Sequence, residues 1–381
     1  MKFNLDKTIL DGVITKLGKV LSNSTIPILN GVLIQATEEF IVFTGSNGME
    51  SIIIREPVNR ENGVEVIETG AAVLPREIFN VTKKLKGVIE FATNDDCTQI
   101  HIQQKRTNID FSIMSAEEYP SIIESKPPLN SFKIPAKEFE EIVRTTSFAA
   151  SDSDARPVLR GLHFTIDKKG CYKVVATDSH RLAQTCSPTP ITEEDVNSFT
   201  VPANALEQAI KSFELKGDVA IATYPNKIAL VNANAIVYSS LLEGNYPQTD
   251  RLIPSGDSHL ILVREELIDA LDILSAIKDK ERGISSALMI VQQNSITLES
   301  KTGTSRTQQE IQILSNQGVE LDFKMVFDVK YALDALKALN TQHVKMEING
   351  SNRPFIFHNV FESDASKEMQ TLQLILPMRL V

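Results

Sequence analysis

The densest cluster of chemically capable side chains is Ala176-Thr177-Asp178-Ser179-His180-Arg181-Leu182-Ala183. Asp, Ser and His are the types of a nucleophile–base–orienter relay, in which a carboxylate orients an imidazole that deprotonates a hydroxyl. Adjacent residues on an extended or turning backbone point away from one another, so consecutive placement does not by itself bring the three into hydrogen-bond reach. A hydrolase using Ser179 and His180 stands as one reading. A polar turn, with Asp178 accepting from local backbone amides, is the plainer one. The chain has no G-x-S-x-G elbow, no Gly-rich phosphate loop and no H-E-x-x-H helix. No catalytic residue, cofactor or metal is expected.

A second candidate lies in Thr371-Leu372-Gln373-Leu374-Ile375-Leu376-Pro377-Met378-Arg379-Leu380-Val381. Leu372, Leu374 and Leu376 alternate as one face of a strand, and Pro377 stops the ladder because it has no N–H to donate. The tail that remains carries Met378, Leu380 and Val381. An apolar tail needs a groove: it docks on the protein's own core or helps line a surface for a partner, where methionine adapts well.

The elements that must position these residues recur three times, at a spacing of about 127 residues. Phe3-Asn4-Leu5-Asp6, Phe132-Lys133-Ile134-Pro135 and Leu260-Ile261-Leu262-Val263 each open a helix-like segment with a one-sided apolar face. A second helical segment follows about 70 residues later in each copy, over 75–85, 202–213 and 328–339. Asp6 and Asp328 suit N-caps, and Pro75 and Pro202 suit first helical turns. Short β-branched runs bounded by Gly, Asn, Asp or Glu fill the intervals and read as hairpins. The pattern predicts an α+β protein of three similar domains, 1–126, 127–254 and 255–381, each with two helices packed on antiparallel sheet. Glu118-Tyr119-Pro120 and Asn245-Tyr246-Pro247 close the first two copies alike.

The net charge is −10, yet acidic and basic residues nearly balance on the six helical segments, so the acidic excess lies elsewhere. Position of charge, not its sum, governs binding. Cys97, Cys171 and Cys186 are odd in number and lack C-x-x-C spacing, which argues against a disulfide framework or zinc site and for a reducing cytosol. No leading apolar region and no run of transmembrane length is present. A cytoplasmic location is expected.

Met1-Lys2-Phe3, Ile26-Pro27-Ile28-Leu29, the 176–183 octet, Tyr246-Pro247 followed by Arg251-Leu252-Ile253-Pro254, and Leu376-Pro377-Met378-Arg379-Leu380 follow one another across all three thirds. In these motifs, and in the threefold repeat, the chain resembles the bacterial sliding clamps, the beta subunits of DNA polymerase III. The resemblance implies the DNA clamp fold and a head-to-tail ring homodimer. Duplex DNA would be held topologically and without sequence preference, the helices lining the hole. Weak phosphate contacts suit a ring that slides. Lys16, Lys19, Arg76, Lys83, Lys84, Arg144, Arg156, Lys211 and Lys337 are the candidate DNA-facing cations. The late positions of Lys16, Lys19, Lys83, Lys84 and Lys211 in their segments also fit simple complementation of the helix dipole. Many clamps carry Arg where this chain has Asn23, a departure that bears on a DNA contact from that loop.

The resemblance also implies a hydrophobic groove for short linear motifs, typically Gln followed by Leu and Phe. Such motifs come from the polymerase III catalytic subunit, the clamp loader, other polymerases, ligase and mismatch-repair proteins. Matched motif to motif, its wall is Leu159, Thr177, Ser179, His180, Arg181, Leu182, Pro247, Arg251, Leu252, Leu374, Ile375, Leu376, Pro377, Met378 and Arg379. Some relatives have Gly where Ser179 stands, and Val381 extends beyond the Arg-Leu ending of others. For the ring interface, Phe111 and Ile113 are paired with Ile273, Leu274 and Ile277 of another subunit, ordinary core being the alternative. The first copy has Ser46-Asn47-Gly48-Met49-Glu50 where the second has Thr177-Asp178-Ser179-His180-Arg181, so one docking groove per chain is expected. A non-catalytic clamp, a hydrolase and a monomeric three-domain scaffold thus remain. Substrate turnover separates the second from the others, and a solution mass near one 42.2 kDa chain would mark the third.

Overall fold

Phe3 and Leu5, Phe132 and Ile134, and Leu260 and Leu262 are buried at alternate positions, and that period of two makes strands of the three leading phrases. The computed structural model describes residues 1–18, 20–21, 24–166, 171–187, 190, 198–276, 285–301, 305–361 and 368–379. The strands are Lys2–Asp6, Asn130–Pro135 and His259–Val263. Helices begin only afterwards, which corrects the reading of these phrases as helix openings. Among the described residues the α-helices are α1 Lys7–Leu17, α2 Glu77–Thr82, α3 Ala136–Thr146, α4 Ala203–Ser212, α5 Arg264–Ser275 and α6 Val329–Ala338.

Two helices start as the sequence predicts. Asp6 accepts from the Thr8 amide at 2.8 Å, and Asp328 accepts from those of Lys330 at 2.7 Å and Tyr331 at 3.3 Å. Each bond satisfies an amide the helix leaves orphaned. The two prolines differ from expectation: Pro75 and Pro202 are the last residues of strands Gly70–Pro75 and Phe199–Pro202. There the missing N–H ends a ladder instead of opening a helix. Each faces a glycine, Gly31↔Pro75 and Gly161↔Pro202. A Cβ on Gly161 would lie 2.5 Å from the Val201 carbonyl oxygen, so the close approach requires that residue.

The chain forms two compact units, Met1–Phe139 with Asn204–Leu241, and Glu140–Ala203 with Leu242–Val381. The first holds a five-stranded sheet in the order Val64–Glu68, Lys2–Asp6, Val88–Thr93, Gln99–Gln104, Thr107–Ser112. It also holds an eight-stranded sheet in which Ala235–Ser240 pairs antiparallel with Glu50–Pro57, Val237 opposite Ile52. Phe3 stacks on Phe91, centroids 4.9 Å apart, in its core.

The second unit is organised on a twelve-stranded sheet. Strands Gly161–Ile166, Tyr172–Thr177 and Arg181–Cys186 continue through Gln370–Ile375 and Phe355–Asn359 to His343–Ile348 and His259–Val263. Leu267, Leu271 and Leu274 of α5 and Leu333 and Leu336 of α6 are buried in one cluster with Met346, Phe355 and Ile375. Strands of the middle third occur in both units, Asn130–Pro135 with Asp218–Thr223 in the first and Gly161–Ile166 with Phe199–Pro202 in the second.

The N-cap of α6 gives a direct test. Asp328→Ala is expected to lower local stability by about 1 kcal/mol, read as faster hydrogen exchange of the Lys330 and Tyr331 amides. Asp328→Asn should keep most of the protection, and equal loss in both variants would argue against the capping role.

Candidate functional site

Thr177 ends one strand and Arg181 begins the next, so three residues must reverse the chain. Ser179 does this at φ 78°, a left-handed backbone that glycine adopts without strain and serine does not. Hydrogen bonds hold the turn in place. Thr177 Oγ1 donates to the Arg181 carbonyl at 2.6 Å and accepts from the Ser179 amide at 3.2 Å. Asp178 Oδ1 accepts from the amides of His180 at 2.9 Å and Arg181 at 3.0 Å, and its Oδ2 accepts from Arg181 Nε at 3.0 Å. The carboxylate is therefore committed to backbone and guanidinium, not to the His180 imidazole. This is the polar turn of the plainer reading, and the hydrolase relay is not assembled.

Arg181 is 8% exposed. Besides Asp178, its Nη1 reaches Asp334 Oδ2 at 2.6 Å, and Lys330 Nζ meets the same oxygen at 2.9 Å. The guanidinium carbon lies 4.6 Å from the Tyr331 ring centroid and 5.3 Å from that of Phe148. A planar fork between two carboxylates and two rings exploits what arginine has and lysine lacks. Arg181 therefore supports the turn from beneath, and His180, exposed above it, lies with its ring 6.4 Å from Tyr331.

The C-terminal strand completes the site. Gln370–Ile375 pairs with Arg181–Cys186, Leu374 opposite Leu182. The ladder ends where the Leu376 amide donates to the His180 carbonyl at 3.0 Å, and the Met378 amide then bonds Val326 O at 2.7 Å. The Gln373 side chain donates to Thr145 O at 2.9 Å. Val175, Leu182, Ile356 and Leu374 form a buried cluster against which Tyr246, Ile253 and Leu372 pack. Ile375 faces the opposite side, in the core with α5 and α6.

The expected groove residues thus sort into a support and a surface within the second unit. Leu159, Thr177, Arg181, Leu182, Leu374 and Ile375 are buried. Ser179, His180, Pro247, Arg251, Leu376 and Arg379 are exposed, Pro377 and Met378 half-buried, and Leu252 is 54% exposed. Leu252 lies in a short 3-10 helix, Thr249–Leu252, tied down by Lys173 Nζ to Asp250 at 2.6 Å. Tyr246 stacks flat on His163, centroids 4.6 Å apart. Burial pushes its phenol well above the ordinary tyrosine range and pulls His163 below the usual histidine value, with Lys173 adding to the latter. Tyr331, Asp334 and Phe148 carried no signal in the sequence, because Asp334 lies 153 residues from its partner. Lys330 and Asp334, four apart on α6, read as an ordinary surface pair.

The candidate DNA-facing cations differ in environment. Lys83, Lys84 and Lys211 in the first unit and Arg156 in the second are exposed. Lys16 is half-buried, and Arg76 directs Nη1 toward Leu21 O at 3.5 Å. Arg144 hydrogen-bonds the Ala338 carbonyl, and Lys337 pairs with Asp272 at 3.1 Å. Lys19 lies outside the described residues, as do Asn23, Ile277, Leu380 and Val381. Of the interface candidates, Phe111 is half-buried on Thr107–Ser112, the terminal strand of its sheet. Ile273 is 50% exposed on α5. Leu274 is a correction, since it is fully buried in the α5–α6 core and has no surface for a partner. Ile113 is also buried, its amide bonded to Thr98 O at 3.0 Å.

Three family models match in succession: the DNA polymerase III beta subunit N-terminal domain over 1–123, the central domain over 133–248 and the C-terminal domain over 250–379. The chain is similar to the beta sliding clamp of Bacillus subtilis (29% identity over 388 residues, all of both chains). It is similar also to that of Staphylococcus aureus (30% over 389 residues, all of this chain and 99% of the relative). Among solved structures, the DNA polymerase sliding clamp of B. subtilis superposes with a TM-score of 0.89 at 26% identity, and the DNA polymerase beta subunit of Streptococcus pyogenes with 0.88 at 25%, each over the full length of both chains.

Arg181→Met should deprive two carboxylates of their guanidinium while leaving Lys330 on Asp334 and two amides on Asp178, and is expected to destabilise the second unit by about 2 kcal/mol in urea unfolding. Arg181→Met combined with Asp178→Asn and Asp334→Asn should recover part of that loss. No recovery would show that the guanidinium acts by packing rather than by charge.

Proposed function

Because this chain belongs to the family of bacterial DNA polymerase III beta subunits, the beta sliding clamps, we propose that it closes as a head-to-tail homodimer into a ring around duplex DNA. The chain is a sliding clamp, a non-catalytic accessory factor of DNA polymerase III. In this reading three similar domains per chain, near 1–126, 127–254 and 255–381, give six per ring, and near-equal rotations close it without a free end. The terminal strand Thr107–Ser112 supplies unpaired backbone groups for the contact, with exposed Ile273 on the other subunit's side. Exposed Lys83, Lys84, Arg156 and Lys211 then provide sparse phosphate contacts that hold no register on DNA.

Partners dock on the surface around the 177–181 turn. The observation that carries this reading is the C-terminal strand's attachment to the turn, which sets Leu376 and Met378 on a rigid frame with His180. An aliphatic or aromatic anchor would pack on Leu252, Leu376 and Met378, and His180 and Arg379 would meet polar groups of the motif. The polymerase III catalytic subunit, the clamp loader, other polymerases, ligase and mismatch-repair proteins are the expected owners of such motifs. Bacterial cytoplasm is the compartment this role requires. No helix among the described residues is long and apolar enough to cross a membrane.

Two measurements test the two halves of the reading. A variant lacking residues 378–381 should bind a Gln-Leu-Phe-type peptide about 30-fold more weakly while sedimenting as a dimer; unchanged affinity would remove the groove assignment. After loading, the protein should stay on a nicked circular DNA and leave once the circle is cut. Equal retention on circle and line would contradict topological holding.

A further inference from the structure

The first unit contains the frame of this site a second time. Ser46 Oγ donates to the Glu50 carbonyl at 3.2 Å and accepts from the Gly48 amide at 3.1 Å, as Thr177 does at its own turn. Asn47 Oδ1 accepts from the amides of Met49 at 2.9 Å and Glu50 at 2.8 Å, as Asp178 does. Gly48 stands at φ 91°, the place of Ser179. The strand that starts at Glu50 pairs with Ala235–Ser240, and the Ser240 amide donates to the Met49 carbonyl at 3.0 Å. That bond repeats Leu376 to His180. Beside each turn, a Pro-led 3-10 helix brings in a leucine, Leu29 in Pro27–Asn30 and Leu159 in Pro157–Arg160. A Cβ on Gly48 would touch Leu29 Cδ1 at 3.9 Å, so that leucine lies directly under the turn.

The chemistry on this frame is different. Met49 holds the position of His180 and is 68% exposed, although nothing about the turn obliges an apolar side chain to stand in water. Ile28, Leu29, Val73 and Tyr119 cluster beside it with Ile122 packed against them, and the next residue, Ile123, is exposed. Tyr119 is 7% exposed, and its hydroxyl has no hydrogen-bond partner among the described residues. Burial pushes that phenol up to about 12. The 119–124 segment reaches the returning strand, for the phenol of Tyr238, which faces Ser51 in the ladder, hydrogen-bonds the Glu124 backbone. Charge is reversed as well. Residues 46–51 and 115–124 contain exposed Glu117 and Glu118, half-buried Glu124, buried Glu50 and no lysine or arginine, whereas the second unit's surface has exposed Arg251 and Arg379, its buried Arg181 being paired with Asp178 and Asp334. Glu50 takes the place of Arg181, bonded by Asn204 Nδ2 at 2.7 Å.

We propose that the 46–50 turn, with Leu29, Tyr119 and Ile123 beside it, is a second docking site, and that its guest is a short peptide segment bearing an aliphatic or aromatic anchor next to lysine or arginine. The anchor packs on Met49 and Ile123, and the cation is attracted by the flanking glutamates. The sequence reads this turn as bland and predicts one groove per chain, because the identities that mark the other site are absent here while the backbone that presents them is kept.

The test uses the full chain with labelled methionine methyl groups and two synthetic peptides, Lys-Leu-Lys-Phe-Leu-Lys and a Gln-Leu-Phe-type sequence. The cationic peptide should shift the Met49 methyl resonance and leave that of Met378 in place. Met49→Lys and Ile123→Lys, both at exposed positions, should each weaken its binding about tenfold or more, while Leu252→Lys should not. Binding lost in Leu252→Lys but kept in Met49→Lys would assign the cationic peptide to the other site and overturn the proposal. An unmoved Met49 resonance at saturating peptide would overturn it as well. A failure of the Gln-Leu-Phe peptide to bind would instead count against the proposed function and leave this result standing.

Discussion

Antiparallel backbone pairing between segments far apart in the chain is the constraint on which the rest of the structure depends. A strand edge leaves a row of amides and carbonyls that must find partners. In the first unit Ala235–Ser240 supplies them to Glu50–Pro57, and in the second Gln370–Ile375 supplies them to Arg181–Cys186. Both returning strands extend one bond further, to the carbonyl at the tip of the neighbouring turn. The tip therefore inherits its position from two ladders and not from its own few residues. A surface site built there is as rigid as the sheet, although every exposed group in it belongs to a turn, a short helix or a tail.

On this shared frame the two units diverge at the side chains the frame does not use. Ser46 and Thr177, or Asn47 and Asp178, are interchangeable because each has only to cap backbone amides. Met49 and His180 differ freely because neither is needed by the turn. The residue that enters the following strand is the costly choice. Arg181 is desolvated, and its retention needs Asp178, Asp334, Tyr331 and Phe148 together. Glu50 is bonded by Asn204, and burial raises its carboxyl above the usual range. Charge and exposure differ between the two turns, while their backbone frame stays constant.

Much of this was legible in the residues, and the failures share a cause. The helix caps at Asp6 and Asp328 were readable because a cap is local, involving a side chain and an amide two residues on. The alternation of Leu372 and Leu374 and the stop at Pro377 were local in the same sense. Phe3-Asn4-Leu5-Asp6 was misread because strand and helix adjoin without a break, and a period of two followed at once by one of 3.6 looks like a single apolar face. Pro75 and Pro202 fit either a strand end or a helix start, and the register against Gly31 and Gly161 decided between them. Leu274 was assigned to an interface because α5 is apolar on more than one side; only its packing against α6 separates it from Ile273. The Arg181–Asp334 pair joins a strand start to α6, and the Ser240 amide joins a distant strand to the 46–50 turn; no local pattern encodes either.

The C-terminal ladder has a further consequence during biosynthesis. Strand Gln370–Ile375 is the last described strand to leave the ribosome, and without it the 177–181 turn has no Leu376 amide, no Leu374 beside Leu182 and no Met378. A chain interrupted between residues 242 and 369 contains every strand of the first unit, yet lacks the strand that pairs with Arg181–Cys186 in the second. The 177–181 turn is therefore completed only after every strand of the first unit has been made.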